Sequence, residues 1–230
     1  MRRAPFTAAA LLVALVAGCG SSSTKTSEIP SGGASSTPAS TQASKPPAGC
    51  TNVAKPAPKK NGGQKKPKAP LAAGKTYKLT FVTNCGSFTI QLDLKTAPNA
   101  SASMVSLAKA AFFDNTIFHR IVPGFVIQGG DPTGTGQGGP GYKTVDKPSK
   151  NTKYTLGVVA MAKTGTEKPG TAGSQFFVVT GADAGLPPDY AVLGKVVAGL
   201  DVAERIGRLG SNDQAGTPTA VVVIKTVKVS

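Results

Sequence analysis

Tryptophan is absent and histidine occurs once, at His119. A lone histidine, with no Cys-x-x-Cys pair and no carboxylates at ligand spacing, does not make the usual zinc or calcium sets, so no metal is expected. The Gly-x-Ser-x-Gly elbow of serine hydrolases is missing, and so is the Gly-Lys-Ser/Thr of a phosphate-binding loop. Gly134-x-Gly136-x-x-Gly139 formally matches a dinucleotide fingerprint. However, Pro140-Gly141 follows where a helix would have to begin, so no nucleotide and no other cofactor is expected. Residues 129–141 read instead as a tightly turning loop beside a site. Long apolar runs are also missing: Ala8 to Ala17 is about half of the roughly 20 residues that span a bilayer. No repeat of solenoid length occurs.

What is present divides into three parts. MRRAPFTAAALLVALVAGC combines two arginines, a short apolar run and small residues before a cysteine, the pattern of an export signal over 1–18. Val16-Ala17-Gly18-Cys19 resembles the lipobox of bacterial lipoproteins, which implies acylation of Cys19 and anchoring in a lipid bilayer. From 19 to 73 the chain is rich in Ser, Thr and Pro and then in Lys and Pro, with almost nothing to bury, and reads as a disordered tether. Residues 74–230 form the folded domain.

Charge follows the same division. The net charge is +15, and residues 19–70 hold eight lysines against one glutamate. A basic tether without interleaved aromatics is a poor nucleic-acid surface, so no nucleic acid is expected as a partner. Weak attraction to anionic lipid headgroups or envelope polymers, or a plain solubilising spacer, fits it equally well. With Cys19 acylated, Cys50 and Cys85 remain as an even pair in an oxidising compartment, and a disulfide between them is expected. It would pin the Lys/Pro half of the tether to the domain.

The domain is strand-rich. TYKLTFVT and SFTIQLDL alternate apolar and polar residues around a turn at Asn84-Cys85-Gly86 and predict a hairpin. Pro98 suits the first turn of a helix running to Phe112, and a second helix fits Leu200 to Ile206. Further apolar runs cover Ile117–Val122, Phe125–Gln128, Leu156–Ala162, Gln175–Thr180, Val192–Val197 and Ala220–Val229. Eight strands and two helices predict a mainly β fold, a closed eight-stranded antiparallel barrel capped by two helices.

The chemistry centres on FHRIVPGFVIQGGD, where one fixed cation, Arg120, stands among apolar side chains. Phe118, Phe125, Val126, Phe176, Phe177 and Leu186 could line an apolar pocket, with Arg120 and Gln128 as donors. Phe125 and Ile127 are read as occupying opposite faces of one strand, and Phe176 and Phe177 likewise, one residue of each pair lining a groove and the other filling the barrel.

FHRIVPGFVIQGGD resembles the signature of the cyclophilin family of peptidyl-prolyl cis/trans isomerases, and GSQFFVVT and LGKVVAGLDV resemble two further family blocks in the same order. The match covers about Lys75 to Val229. The resemblance implies the capped barrel and an isomerase acting on Xaa-Pro bonds. Arg120, Phe125, Gln128 and His119 fall at catalytic positions, with His119 more an orienting neighbour than an acid or base. Val126, Ala162, Lys163, Gln175, Phe177, Leu186 and Tyr190 fall at substrate-binding positions. The implied partners are proline-containing peptides and unfolded exported proteins. The implied state is a monomer anchored by lipid on the extracytoplasmic face of the cell membrane or in a periplasm.

Some positions depart from the family. Val126 stands where many members have methionine, Tyr190 where histidine is common, and Gly185 where eukaryotic members often carry tryptophan. Lys163 to Thr171 is longer than usual. These departures imply weak binding of the cyclic peptide cyclosporin. They also leave open a tethered proline-binding module with little turnover. A lipocalin-like small-molecule barrel is disfavoured, because the inward positions are too bulky for an interior cavity.

Overall fold

The computed structural model describes residues 47–230 apart from Asn212 and Gln214. The export signal, Cys19 and the Ser/Thr/Pro half of the tether lie outside these residues. Strands β1 (Lys78–Thr83) and β2 (Gly86–Leu92) form the expected hairpin, followed by α1 (Pro98–Lys109). Then come β3 (Thr116–Ile117), β4 (Arg120–Val122), β5 (Val126–Gly129), β6 (Thr144–Val145), β7 (Val158–Met161), β8 (Thr171–Ala172), β9 (Phe176–Val179), β10 (Val192–Ala198), α2 (Leu200–Gly207) and β11 (Val223–Val229).

Nine of the strands make one antiparallel sheet in the order β3-β11-β1-β2-β10-β7-β9-β5-β4. The closed eight-stranded barrel is therefore corrected to a curled half-barrel. The segment read as one strand, Ile117–Val122, is split. Its first part pairs with β11 and its second with β5, at opposite edges of the sheet. Only Phe118-His119 separates the two edges in the chain, so the sheet must curl back on itself there. Closure by ladder bonds fails because each half of this short segment is already engaged elsewhere: Phe118 N–H donates to Val222 O and Ile121 N–H to Gly216 O. β6 and β8 form a separate two-stranded sheet.

Alternation along the strands sorts the core. Phe176 and Val178 of β9 face a large cluster with Phe81, Phe88, Phe113, Phe118 and Ile127, whereas Phe177 and Val179 join a smaller cluster with Val126, Tyr154 and Ala160. The rings of Phe81 and Phe88 stack at 5.2 Å, and Phe81 meets Phe176 at 4.9 Å. Each fully buried phenylalanine contributes about 1.5–3 kcal/mol relative to exposure. Helix α1 lays Ala100, Met104 and Leu107 on the larger cluster. Its N-cap, Ala97, has no capping side chain, and Asp146 accepts the backbone N–H groups of Asn99 and Ala100 in its place.

Residues 47–73 contain no helix or strand, as their composition predicts, but they are not a loose tether. Cys50 and Cys85 form a disulfide. Thr51 and Asn84 exchange hydrogen bonds beside it. The backbone N–H groups of Lys59, Gly62 and Gln64 donate to Pro132, Gly139 and Pro140. Hydrogen bonds and one cross-link hold this strap, with little apolar burial beyond Leu71. Among the described residues no helix is long and apolar enough to cross a membrane.

Candidate active site

Register places the site. Arg120 of β4 lies opposite Gln128 of β5, Gln128 opposite Phe177 of β9, Phe177 opposite Ala160 of β7, and Ala160 opposite Val192 of β10. Residues paired across antiparallel strands share a face, so this row crosses the outer face of the half-barrel. A second row, Val122–Val126–Val179, runs beside it. Together with the loops above them, these rows form a cavity of about 320 Å³. It is lined by Arg120, Phe125, Val126, Gln128, Ala162, Lys163, Phe177, Leu186 and Tyr190. Its floor is apolar, with Val126 and Phe177 buried, and its rim is polar.

Phe125 reaches this cavity for a reason that strand alternation does not supply. Residues two apart on a strand share a face, so Phe125 would follow Ile127 into the interior. It sits instead in the turn before β5, where its N–H donates to Val122 O, and its side chain is released toward Val126 and Phe177. The Arg120 guanidinium carbon lies 5.9 Å from the centre of the Phe125 ring. No hydrogen bond or ion pair among the described residues engages its donors, which leaves them available to a substrate at the mouth of the cavity.

Gln128 is oriented by Gln175, its Nε2 donating to Gln175 Oε1 at 3.0 Å. Gln175 in turn donates from Nε2 to the carbonyls of Gly136 and Gly138, each at 2.9 Å. These four residues, with Ala162, Lys163, Lys143 and Glu167, surround a second recess of about 100 Å³ next to the first. Lys143 and Glu167 pair across it at 2.7 Å, and Glu167 also accepts from the Thr164 backbone N–H. That contact folds the long Lys163–Thr171 segment into a defined turn.

Gln175 lines the second recess, Phe118 and Phe176 turn into the core, and the remaining named residue outside the main cavity is His119. It lines a separate cavity of about 380 Å³ with Lys55, Phe118, Gly134 and residues 217–222. Neither ring nitrogen finds a partner at hydrogen-bonding geometry among the described residues. Burial pulls its pKa below the usual histidine value, Asp131 opposes the shift and Arg120 adds to it. The shift favours the neutral ring.

Three residues that the sequence did not single out organise these walls. Tyr154, fully buried, donates its hydroxyl to Tyr190 O at 2.7 Å and accepts from Tyr190 N at 2.9 Å, locking the backbone that carries the Tyr190 ring. The two tyrosines and Phe177 pack edge-on or tilted at 5.4–6.2 Å. Asp131, also fully buried, gathers the glycine loop by accepting N–H groups from Thr133, Thr135 and Gly136. Burial raises its pKa, but these hydrogen bonds outweigh that and hold it below the usual carboxylate value. A side chain at Gly138 would collide with Asp131, which accounts for glycine there. The third is Lys59 of the strap, whose ammonium donates to the carbonyls of Ala111, Phe112 and Asp114 at 2.8–3.0 Å. Asp131-Pro132-Thr133 carries the signal of an Asx turn; nothing local marks Tyr154 or Lys59.

Comparison with known proteins bears on this arrangement. The family model described as cyclophilin type peptidyl-prolyl cis-trans isomerase/CLD matches residues 78–229. The chain belongs to the cyclophilin family. It is an isomerase of peptidyl-prolyl bonds. A peptidyl-prolyl cis-trans isomerase of Arabidopsis thaliana is 36% identical over 160 residues, covering 68% of this chain and 95% of that protein. A peptidyl-prolyl cis-trans isomerase-like 1 of Emericella nidulans is 38% identical over 140 residues, covering 59% of this chain and 85% of its own length. A Cryptosporidium parvum cyclophilin, solved also in the presence of the dipeptide Ala-Pro, superposes with a TM-score of 0.61 at 32% identity, covering 68% of this chain and 98% of that one. The cyclophilin match begins after the strap.

Proposed function

We propose that this cyclophilin isomerises Xaa-Pro bonds in exported proteins outside the cytoplasm, held at a membrane by a lipid on Cys19, with Arg120 as the group that lowers the rotation barrier. The observation that carries the catalytic part is the single cavity that joins Arg120 and Gln128 to the apolar floor of Val126 and Phe177.

An Xaa-Pro bond resists rotation by about 18–20 kcal/mol because the imide nitrogen shares its lone pair with the carbonyl. At the twisted transition state that lone pair is released and becomes a hydrogen-bond acceptor. A guanidinium donor held above it stabilises the twisted state more than the planar one. The proline ring seats on Phe125, Val126, Phe177 and Leu186, Gln128 holds the peptide backbone, and Ala162 and Lys163 form the edge along which the peptide runs. A gain of about 7 kcal/mol corresponds to a rate increase of about 10⁵. No proton leaves or arrives, which suits a neutral His119.

Export is supported by the signal pattern ahead of Cys19 and by the Cys50–Cys85 disulfide, a bond that persists in oxidising compartments. The test is fractionation of the full chain and of Cys19→Ser expressed in a bacterial host. The unaltered chain partitions with membranes in its oxidised form, and Cys19→Ser is released from them. Recovery of the unaltered chain in the cytosol with Cys50 and Cys85 reduced would contradict the proposal.

A further inference from the structure

The strap lies outside the part of the chain that matches the cyclophilin family, yet it reaches the elements that carry the site. At one end the Cys50–Cys85 disulfide ties it to the turn between β1 and β2. In the middle Lys59 engages the turn that leads from α1 into β3 and on to His119 and Arg120. This turn holds Ala111 and Asn115 at positive φ, 52° and 56°, a conformation that side chains other than glycine adopt at a cost. One ammonium accepted by three of its carbonyls gathers that turn. Further on, Asn61 Oδ1 accepts the N–H of Gly139 at 2.9 Å, and Gly62 N–H donates to Gly139 O.

Gly139 adjoins Gly138, whose carbonyl, with that of Gly136, takes both donors of the Gln175 amide. With Nε2 committed, Gln175 can offer only Oε1 to Gln128, which fixes the direction in which the Gln128 amide faces the cavity. A continuous set of hydrogen bonds thus runs from the strap through the glycine loop to a residue on the cavity wall. Asp131 anchors one end of that loop from within, and the strap holds the other end from outside.

We propose that the strap is a positioning element of the isomerase: Asn61 fixes the glycine loop and Lys59 fixes the turn before Arg120, so that Gln175, Gln128 and Arg120 are held ready for the substrate. Lys59 and Asn61 are positioning residues, because both act through others. This proposal rests on the isomerase activity, and its test keeps the two apart.

The experiment compares the full, oxidised chain with Asn61→Ala, Asn61→Asp and Lys59→Met, measuring kcat and KM on a proline-containing test peptide, thermal unfolding, and the side-chain amide signals of Gln128 and Gln175 by NMR. Losing one hydrogen bond to the loop is expected to lower kcat/KM about three- to tenfold in Asn61→Ala, chiefly through KM. The Gln175 and Gln128 signals should shift while Tm changes little. Asn61→Asp, which keeps an acceptor for Gly139, should recover most of the loss. Lys59→Met should lower kcat as well, because Arg120 follows the released turn. Unchanged kinetics with unmoved amide signals would overturn the proposal, as would a loss that tracks Tm and is not restored by aspartate. If the unaltered chain shows no turnover, the isomerase assignment fails, and the amide signals still decide whether the strap sets Gln175 and Gln128.

Discussion

Replacing Tyr154 by phenylalanine removes one oxygen atom from a fully buried ring and tests how the Tyr190 wall is held. The hydroxyl makes two hydrogen bonds to the Tyr190 backbone, at 2.7 and 2.9 Å, and the substitution leaves both backbone groups without that partner. At about 1 kcal/mol for each bond the loss is about 2 kcal/mol. For a domain of this size that corresponds to a fall in Tm of about 4–8 °C. Because Tyr190 lines the cavity, KM should rise by a few-fold while kcat, which the proposed mechanism assigns to Arg120, stays close to the parent. Alkaline titration gives a second readout. Burial pushes the Tyr154 hydroxyl up to about 12, above its value near 10 in the unfolded chain. The folded state therefore keeps its proton more tightly than the unfolded state. The stability linked to that proton is complete below pH 10 and is lost as pH rises through about 12. Tyr154→Phe should flatten that alkaline decline. A Tm within about 1 °C of the parent, together with an unchanged KM, would refute the reasoning.

Three other outcomes follow from the same geometry. Asp131→Asn removes one acceptor and turns amide hydrogens toward the loop N–H groups, so stability should drop by about 1–3 kcal/mol, read by urea denaturation. Because the folded-state pKa of Asp131 is depressed, its stabilising effect is present above the usual carboxylate range and fades as pH falls through the lowered value; the Asn variant should lose that acid dependence. Cyclosporin should bind weakly by calorimetry, since Gly185 provides no indole wall and Tyr190 occupies the rim; submicromolar affinity would contradict this. Reduction of the Cys50–Cys85 disulfide, which closes a separation of 35 residues, should lower stability by up to about 4 kcal/mol on a chain-entropy basis, read by thermal unfolding with and without reductant.

Strand and helix positions were legible because period-two alternation at Thr76–Leu94 and the Pro98 start are local signals, and they agree with β1, β2 and α1 within a few residues. The open half-barrel was not, because the break at Phe118-His119 depends on which partner each half of the segment finds, a choice made by β11 and β5 far away in the chain. Arg120, Phe125, Val126, Gln128 and Phe177 came from motif blocks, and register then placed Arg120, Gln128 and Phe177 side by side. Phe125 reached the cavity through its turn, a route the alternation argument had misread. Residues 47–73 looked disordered because they have little to bury. Beyond the expected Cys50–Cys85 cross-link, they are held by backbone hydrogen bonds and by one lysine among three carbonyls, interactions to which composition is blind. Tyr154 was missed for a similar reason, since a buried tyrosine declares itself only through the backbone 36 residues away that its hydroxyl meets.

The central claim is that the Arg120 guanidinium over an apolar proline seat lowers the barrier to imide rotation. The most direct measurement is kcat/KM for isomerisation of a proline-containing peptide by the full chain beside Arg120→Ala and Arg120→Lys, with Tm recorded for each. The account predicts a loss of about 10²–10³ in the alanine variant, little of it restored by lysine, at an unchanged Tm. Turnover by Arg120→Ala within about threefold of the parent would contradict it, since an interaction realised only in the transition state cannot be removed without lowering the rate.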